Sequence, residues 1–216
     1  MPDTQAIVFV VDDDVSVREA LGRLIRSAGL RVEAFASAEA FLTHPRADGP
    51  ACLVLDVRLP DLSGLDLQRR MADANNEIPI VFITGHGDIP TTVRAMKAGA
   101  MEFLTKPLVE GDVLESIRQA LARDRATRDH QADTAALRGR YASLTPREAE
   151  VMQRVVKGQA NKVIAMDLGV SQRTVELHRA RVMHKLKMRS LADLVSAIGK
   201  INEIDSARPS GTAAAR

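Results

Sequence analysis

Five polar residues stand where apolar runs stop: Asp12 and Asp13 after IVFVV, Asp56 after CLVL, Thr84 after IVFI, and Lys106 just past EFL. Several carboxylates brought together would repel one another and raise a pKa unless a cation lay among them. A divalent metal meets that need. An all-oxygen donor set with room for water and a phosphoryl oxygen suits magnesium better than zinc. An ionised Asp, a divalent cation, a Lys and a hydroxyl are the equipment for moving a phosphoryl group onto a carboxylate. Asp56 would attack the phosphorus, the metal and Lys106 would neutralise the equatorial oxygens, and Thr84 would donate a hydrogen bond. The rival chemistry is a magnesium-dependent aspartyl phosphatase of the haloacid dehalogenase type, which needs a second Asp two residues after the nucleophile. Arg58 occupies that position. Singly, Asp56 reads as a strand-end cap, Thr84 as a β-former and Lys106 as a solvated loop residue; five matched positions override those readings. His86 has no other His or Cys near it in sequence and reads as a loop histidine.

The elements that must position these residues alternate along the first 122 residues. Aliphatic runs at 7–11, 31–35, 52–55, 80–83 and 102–104 predict strands, and helical patterns fall at 16–28, 38–42, 64–74, 91–98 and 112–122. Five such pairs imply parallel strands joined by right-handed crossovers, with helices on both faces. In the order 2-1-3-4-5, all five chemical residues share the carboxyl edge of the sheet, where ligands bind in open α/β folds.

The motifs VVDDD, LDVRLPDLSG, ITGHGDIP and FLTKP, in this order, resemble the receiver domain of two-component response regulators, particularly FixJ and its close relatives. The resemblance implies a flavodoxin-like, doubly wound five-stranded parallel sheet over residues 1–122. It also implies that Asp56 accepts phosphate from a sensor histidine kinase. Magnesium would be held by Asp13, Asp56 and the backbone carbonyl of Arg58, with Asp12 in the outer sphere. Asp14 falls at a position the family treats loosely and is excluded as a ligand. A cis Lys106–Pro107 bond is expected. The resemblance further implies that Thr84 moves toward the phosphoryl group and that Phe103 turns into the space it leaves. The fourth helix and fifth strand, around Val93, Met96, Lys97 and Phe103, would then pair two phosphorylated subunits.

The formal charge of +2 conceals two unlike halves. Residues 1–122 carry 12 Lys and Arg against 18 Asp and Glu, whereas residues 143–216 carry 13 against 7. An acidic module followed by a basic one points to a cation or regulatory site joined to a polyanion binder. Residues 123–142, polar and without a clear apolar stripe at their start, read as a linker that could continue the preceding helix. Beyond them Thr145-Pro146-Arg147-Glu148 forms a capping box. Gly158 stops that helix, Asn161 is expected to cap a second, Gly169 allows a tight turn, and Ser171 is expected to cap a third. This is a helix-turn-helix pattern.

At ~100° per residue, Val175, Val182 and Leu186 fall on one side of the third helix. Arg173, Leu177, Ala180 and His184 fall opposite, flanked by Glu176 and Arg181. Such a face suits the major groove of double-stranded DNA: Leu177 and Ala180 for thymine methyls, Glu176 for cytosine, arginines for guanine or phosphate. The segments LTPREAEV, NKVIAMDLGVS and RTVELHRARVMHKLKMRSL resemble the four-helix DNA-binding domain shared by FixJ, NarL and LuxR proteins, a likeness that covers residues 143–198 of a domain expected over 143–200. The resemblance implies base contacts from Glu176, Leu177 and Ala180 and backbone contacts from Lys162, Thr174, Arg181 and Lys185. Glu176 replaces the Lys common in the wider family, so no operator sequence carries over. Leu191, Leu194, Val195 and Ile198 form a stripe that is partly core and pairs DNA-bound subunits in relatives. Residues 201–216 are expected to be a flexible tail.

No apolar stretch approaches the ~20 residues of a membrane span, and the single cysteine, Cys52, reads as a small buried hydrophobe. The chain is therefore expected to be cytoplasmic: a phosphorylation-dependent transcriptional regulator, dimeric when phosphorylated and bound to an inverted-repeat operator, with RNA polymerase as a further partner. It would not be an enzyme beyond its own phosphorylation and dephosphorylation. The alternative is a DNA-binding protein whose receiver is silent.

Overall fold

A computed structural model describes residues 6–45, 48–85 and 88–207, with side chains described to residue 199. His86 and residues 208–216 of the expected tail lie outside the described residues. The chain divides into two compact units with the boundary between Asp129 and His130.

The first unit alternates β1 Ile7–Val11, α1 Val15–Ser27, β2 Arg31–Phe35, α2 Ala38–Leu42, β3 Ala51–Asp56, α3 Gly64–Asp73, β4 Ile80–Thr84, α4 Ile89–Lys97, β5 Glu102–Thr105 and α5 Glu110–Ala142. All strand pairs are parallel, in the order β2-β1-β3-β4-β5. The three central strands are buried throughout, whereas the edge strands are not, as expected for a sheet covered on both faces. One face packs Phe9, Leu53, Leu55 and Phe82 against α2 and α3 residues such as Phe41, Leu67 and Met71; the other packs Val10, Val54 and Ile83 against Ile25, Ile117 and Leu121. Cys52 lies fully buried in the second of these layers.

Local chemistry starts and stops the helices. Asp14, Ser37, Ser63 and Asp88 each cap a helix by accepting a backbone N–H two or three residues on, which satisfies an otherwise orphaned donor. Gly64, at the start of α3, packs so tightly on β3 that an added Cβ would overlap the carbonyl oxygen of Asp56.

The expected linker is helical through residue 142. Its beginning belongs to the first unit: buried Asp124 accepts a 2.8 Å hydrogen bond from the Ala51 N–H and a 2.6 Å bond from Arg128. Its end belongs to the second, where Leu137 and Tyr141 pack on the core.

The second unit continues with α6 Pro146–Val156, α7 Asn161–Leu168, α8 Gln172–Leu186 and α9 Leu191–Ala207. Thr145 and Glu148 form the full capping box, and Ser171 caps α8. Gly169 takes a left-handed φ of 63°, which the short turn between α7 and α8 requires. Asn161 does not cap α7. Ala160 holds the cap position without a side-chain bond, and the Asn161 side-chain oxygen instead accepts a 2.6 Å bond from Arg179 of α8. Residues 201–207, expected in the tail, continue α9.

Candidate functional site

Parallel register carries the acids to one edge. Val11 lies beside Leu55, and Asp56 beside Ile83, so Asp12, Asp13, Asp56 and Thr84 leave adjacent strands at similar height. Asp12 and Asp56 are buried and Asp13 is exposed, and oxygens of all three lie within 4.8 Å of one another. Lys106 reaches across from the end of β5 and donates 2.7 Å bonds to both Asp12 Oδ2 and Asp56 Oδ2. The second oxygens are also held: Asp12 Oδ1 accepts from the Asp14 N–H at 2.9 Å and Asp56 Oδ1 from the Arg58 N–H at 3.0 Å.

One ammonium faces three carboxylates. Burial pushes the Asp12 carboxyl up, and its bonds to Lys106 and to the Asp14 N–H offset that only in part. Burial alone would lower the Lys106 ammonium, but the two carboxylates overcome it and hold it above its ordinary value. The residual negative charge and the all-oxygen donor set fit a hard divalent cation, with exposed Asp13 at the mouth. Asp14 serves this cluster only through its backbone N–H, because its carboxylate caps α1.

Thr84 is fully buried at the end of β4, and its carbonyl accepts a 2.7 Å bond from the Lys106 N–H. The Lys106–Pro107 bond is cis. Phe103 sits opposite Phe82 in register, with ring centroids 6.1 Å apart, half-buried on the sheet face that Thr84 shares. Val93 and Met96 stand exposed on α4.

In the second unit, Val175, Val182 and Leu186 anchor α8 in the core. Glu176, Leu177, Ala180 and Arg181 are exposed on α8, and Lys162 is exposed on α7. Thr174 is half-buried, its hydroxyl 2.8 Å from that of Ser171.

Both units match families of known proteins. Residues 8–118 match the response regulator receiver domain, and residues 142–198 match the bacterial regulatory proteins of the luxR family. Nodulation protein W of Bradyrhizobium diazoefficiens is 52% identical over 192 residues, 89% of this chain and 85% of that one. The chain belongs to the response regulators with a luxR-type DNA-binding domain. The transcriptional regulatory protein FixJ of the same organism is 40% identical over 192 residues, so the likeness to FixJ is the weaker of the two. The solved structure of the response regulator StyR aligns at a TM-score of 0.83 with 49% identity, covering 91% of this chain and 99% of that one.

Two expected positions have other employment in this response regulator. Lys185 turns inward: its ammonium donates to Glu148 Oε2 at 2.6 Å and to the Ser143 carbonyl at 3.2 Å, so it ties α8 to α6 instead of projecting toward a ligand. Leu194 is 1% exposed and belongs to the core, whereas Leu191 and Val195 of the same stripe face outward. One residue of the receiver site went unread. Arg18, one turn into α1, donates from a single nitrogen to the carbonyls of Asp12 at 2.7 Å and Asp13 at 2.9 Å, fixing the loop that carries both acids. Its only sequence signal is its place six residues after Asp12 on a capped helix.

Proposed function

We propose that this response regulator accepts a phosphoryl group on Asp56 from a sensor histidine kinase and that the phosphorylated form binds DNA as a dimer. The observation that carries the reading is Lys106 bridging Asp12 and Asp56 beside exposed Asp13. The Asp56 carboxylate, paired with Lys106, is itself the nucleophile and carries no proton-transfer partner in its attack on phosphorus. Lys106, already 2.7 Å from the nucleophilic carboxylate, follows the charge onto the phosphoryl oxygens. Magnesium, held by Asp13, Asp56 and the Arg58 carbonyl with Asp12 as outer partner, would supply charge neutralisation at the phosphoryl oxygens.

A phosphoryl group adds about 1.5 to 2 negative charges and demands donors. Thr84 supplies one by shifting toward it, and Phe103 follows into the space on their shared sheet face. The α4 face with Val93, Met96 and Lys97 then pairs two subunits, and Leu191 and Val195 pair the DNA-binding units. Glu176, Leu177 and Ala180 read base edges of an inverted repeat while Lys162, Thr174 and Arg181 hold the phosphates. The regulator acts in the cytoplasm, with RNA polymerase as its further partner, and catalyses at most its own phosphorylation and dephosphorylation. No helix among the described residues is long and apolar enough to cross a membrane.

The test is intact mass after incubation with magnesium and acetyl phosphate, with chromatographic size on the same samples. One phosphoryl adduct on the wild type, none on Asp56→Asn, and a shift toward dimer support the reading. An adduct-free wild type, with a second phosphodonor giving the same result, would leave the silent-receiver reading in its place.

A further inference from the structure

The receiver has a second hollow away from the acidic edge. Between α3 and α4 lies an open groove of about 570 Å³, a size typical of small-molecule sites. The helices are tied at its base by Gln68, whose side-chain amide donates to the carbonyls of Ala95 and Ala98 at 3.3 and 3.2 Å. Those two bonds fix the orientation of the amide and satisfy carbonyls at the end of α4. Gln68 is 5% exposed, and its Oε1 has no hydrogen-bond partner among the described residues. A buried acceptor of this kind is costly unless a donor reaches it.

Apolar side chains of Val57, Leu65, Ala72 and Ala98 line the walls, and three guanidiniums, Arg58, Arg69 and Arg94, line the same groove. The nearby acids are already engaged. Asp66 accepts from the Ser63 hydroxyl at 2.6 Å and lies 3.5 Å from Arg69; Asp88 caps α4 through the Thr91 N–H at 2.7 Å. Arg69 is paired with Asp66, Arg94 donates to the Thr91 hydroxyl at 3.3 Å, and Arg94 and Arg58 both act on Asp88. Three cations against these two carboxylates leave an excess of one positive charge, and the Arg58 guanidinium makes no hydrogen bond among the described residues.

We propose that this groove binds a small amphipathic anion: an apolar, ring-sized body carrying one carboxylate and a hydroxyl donor. The body covers the apolar walls, a guanidinium takes the carboxylate in a charge-assisted pair, and the hydroxyl or a water it carries reaches the Gln68 floor. The site is separate from the acidic edge, sharing with it only the β3–α3 loop at Val57 and Arg58. Because its second wall is α4, a ligand that prefers this spacing of α3 and α4 biases the position of that helix.

The test uses the full chain and three probes with one ring system: 3-hydroxy-2-naphthoate, 2-naphthol and 2-naphthylmethylamine. Amide shifts in two-dimensional NMR should move around Ala72, Thr91, Arg94 and Ala98, with the acid binding at least about tenfold more tightly than the amine. Ala72→Leu, which fills the groove from an exposed position, should weaken the acid about tenfold while acetyl phosphate labels Asp56 as before. Replacing Arg58, Arg69 and Arg94 together by Gln should abolish the preference for the acid and leave the naphthol unaffected. Equal binding of acid and amine, shifts centred on Val93 and Met96, or affinity for the acid unchanged by both variants would overturn the proposal. Failure of phosphorylation in the wild type would count against the proposed function and not against this site.

Discussion

Glu148→Gln isolates one charge in the DNA-binding unit. Glu148 is almost fully buried at the start of α6, accepts from the Thr145 N–H at 2.9 Å, and pairs with Lys185 of α8 at 2.6 Å. The Lys185 bond first, and then the Thr145 N–H, pull its carboxyl down to about 2. At ~1.4 kcal/mol per pH unit, a fall from 4.5 sets a ceiling of about 3.4 kcal/mol at neutral pH. Lys185 is 33% exposed, so solvent screening reduces this to about 2 kcal/mol. The folded value lies below the unfolded one. The contribution is therefore complete above about pH 4.5 and is lost as pH falls toward 2.

The chain offers a clean probe, since Tyr141 is its one tyrosine, it has no tryptophan, and Tyr141 packs on the core that α8 shares. In urea titrations of the full chain followed by tyrosine fluorescence, the variant should lose about 2 kcal/mol at pH 7. With a slope of ~1 kcal/mol/M, the midpoint falls by about 2 M. At pH 3.5 the gap should shrink to roughly 1 kcal/mol. Coincident midpoints at pH 7, or a gap that stays constant to pH 3.5, would refute the argument.

Arg18→Ala removes both bonds that fix the Asp12–Asp13 loop; phosphoryl uptake from acetyl phosphate, timed by intact mass, should slow about tenfold with little change in stability. Gly64→Ala forces a Cβ against the Asp56 carbonyl, so thermal unfolding should show a loss of more than about 2 kcal/mol and phosphorylation should fall with it. Asp124→Ala leaves the Ala51 N–H without its partner and should cost about 1 to 3 kcal/mol in urea unfolding read by circular dichroism. Lys162→Ala and Arg181→Ala should each weaken DNA binding across sequences and lower the salt dependence by about one ion, whereas Leu177→Ala should relax base preference.

The sequence was most legible where a signal is local. Aliphatic runs ended within a residue or two of the observed strands, and Thr145 with Glu148 and Ser171 announced the starts of α6 and α8. The acidic edge was legible because strand ends in a parallel sheet converge whatever the loops do. Long-range partners were not. Asn161 looked like a cap, but Arg179, 18 residues on, claims its oxygen. Lys185 looked like one more basic residue, yet buried Glu148, 37 residues back, holds it. The polar run from residue 123 left open whether the preceding helix continues, because one of its anchors is a carboxylate bonded to the backbone 73 residues earlier, a signal with no apolar periodicity. Leu191 and Leu194 share a helical stripe, and only the packed core shows which of them faces inward.

The central claim is that phosphate on Asp56 governs DNA binding. The most direct measurement selects duplexes from a random pool with the acetyl phosphate-treated protein, then compares affinity for the winning duplex with and without phosphodonor, in wild type and Asp56→Asn. The account predicts an inverted repeat bound at least about tenfold more tightly by phosphorylated wild type, and no response in the variant. Equal affinity in all four samples would contradict it.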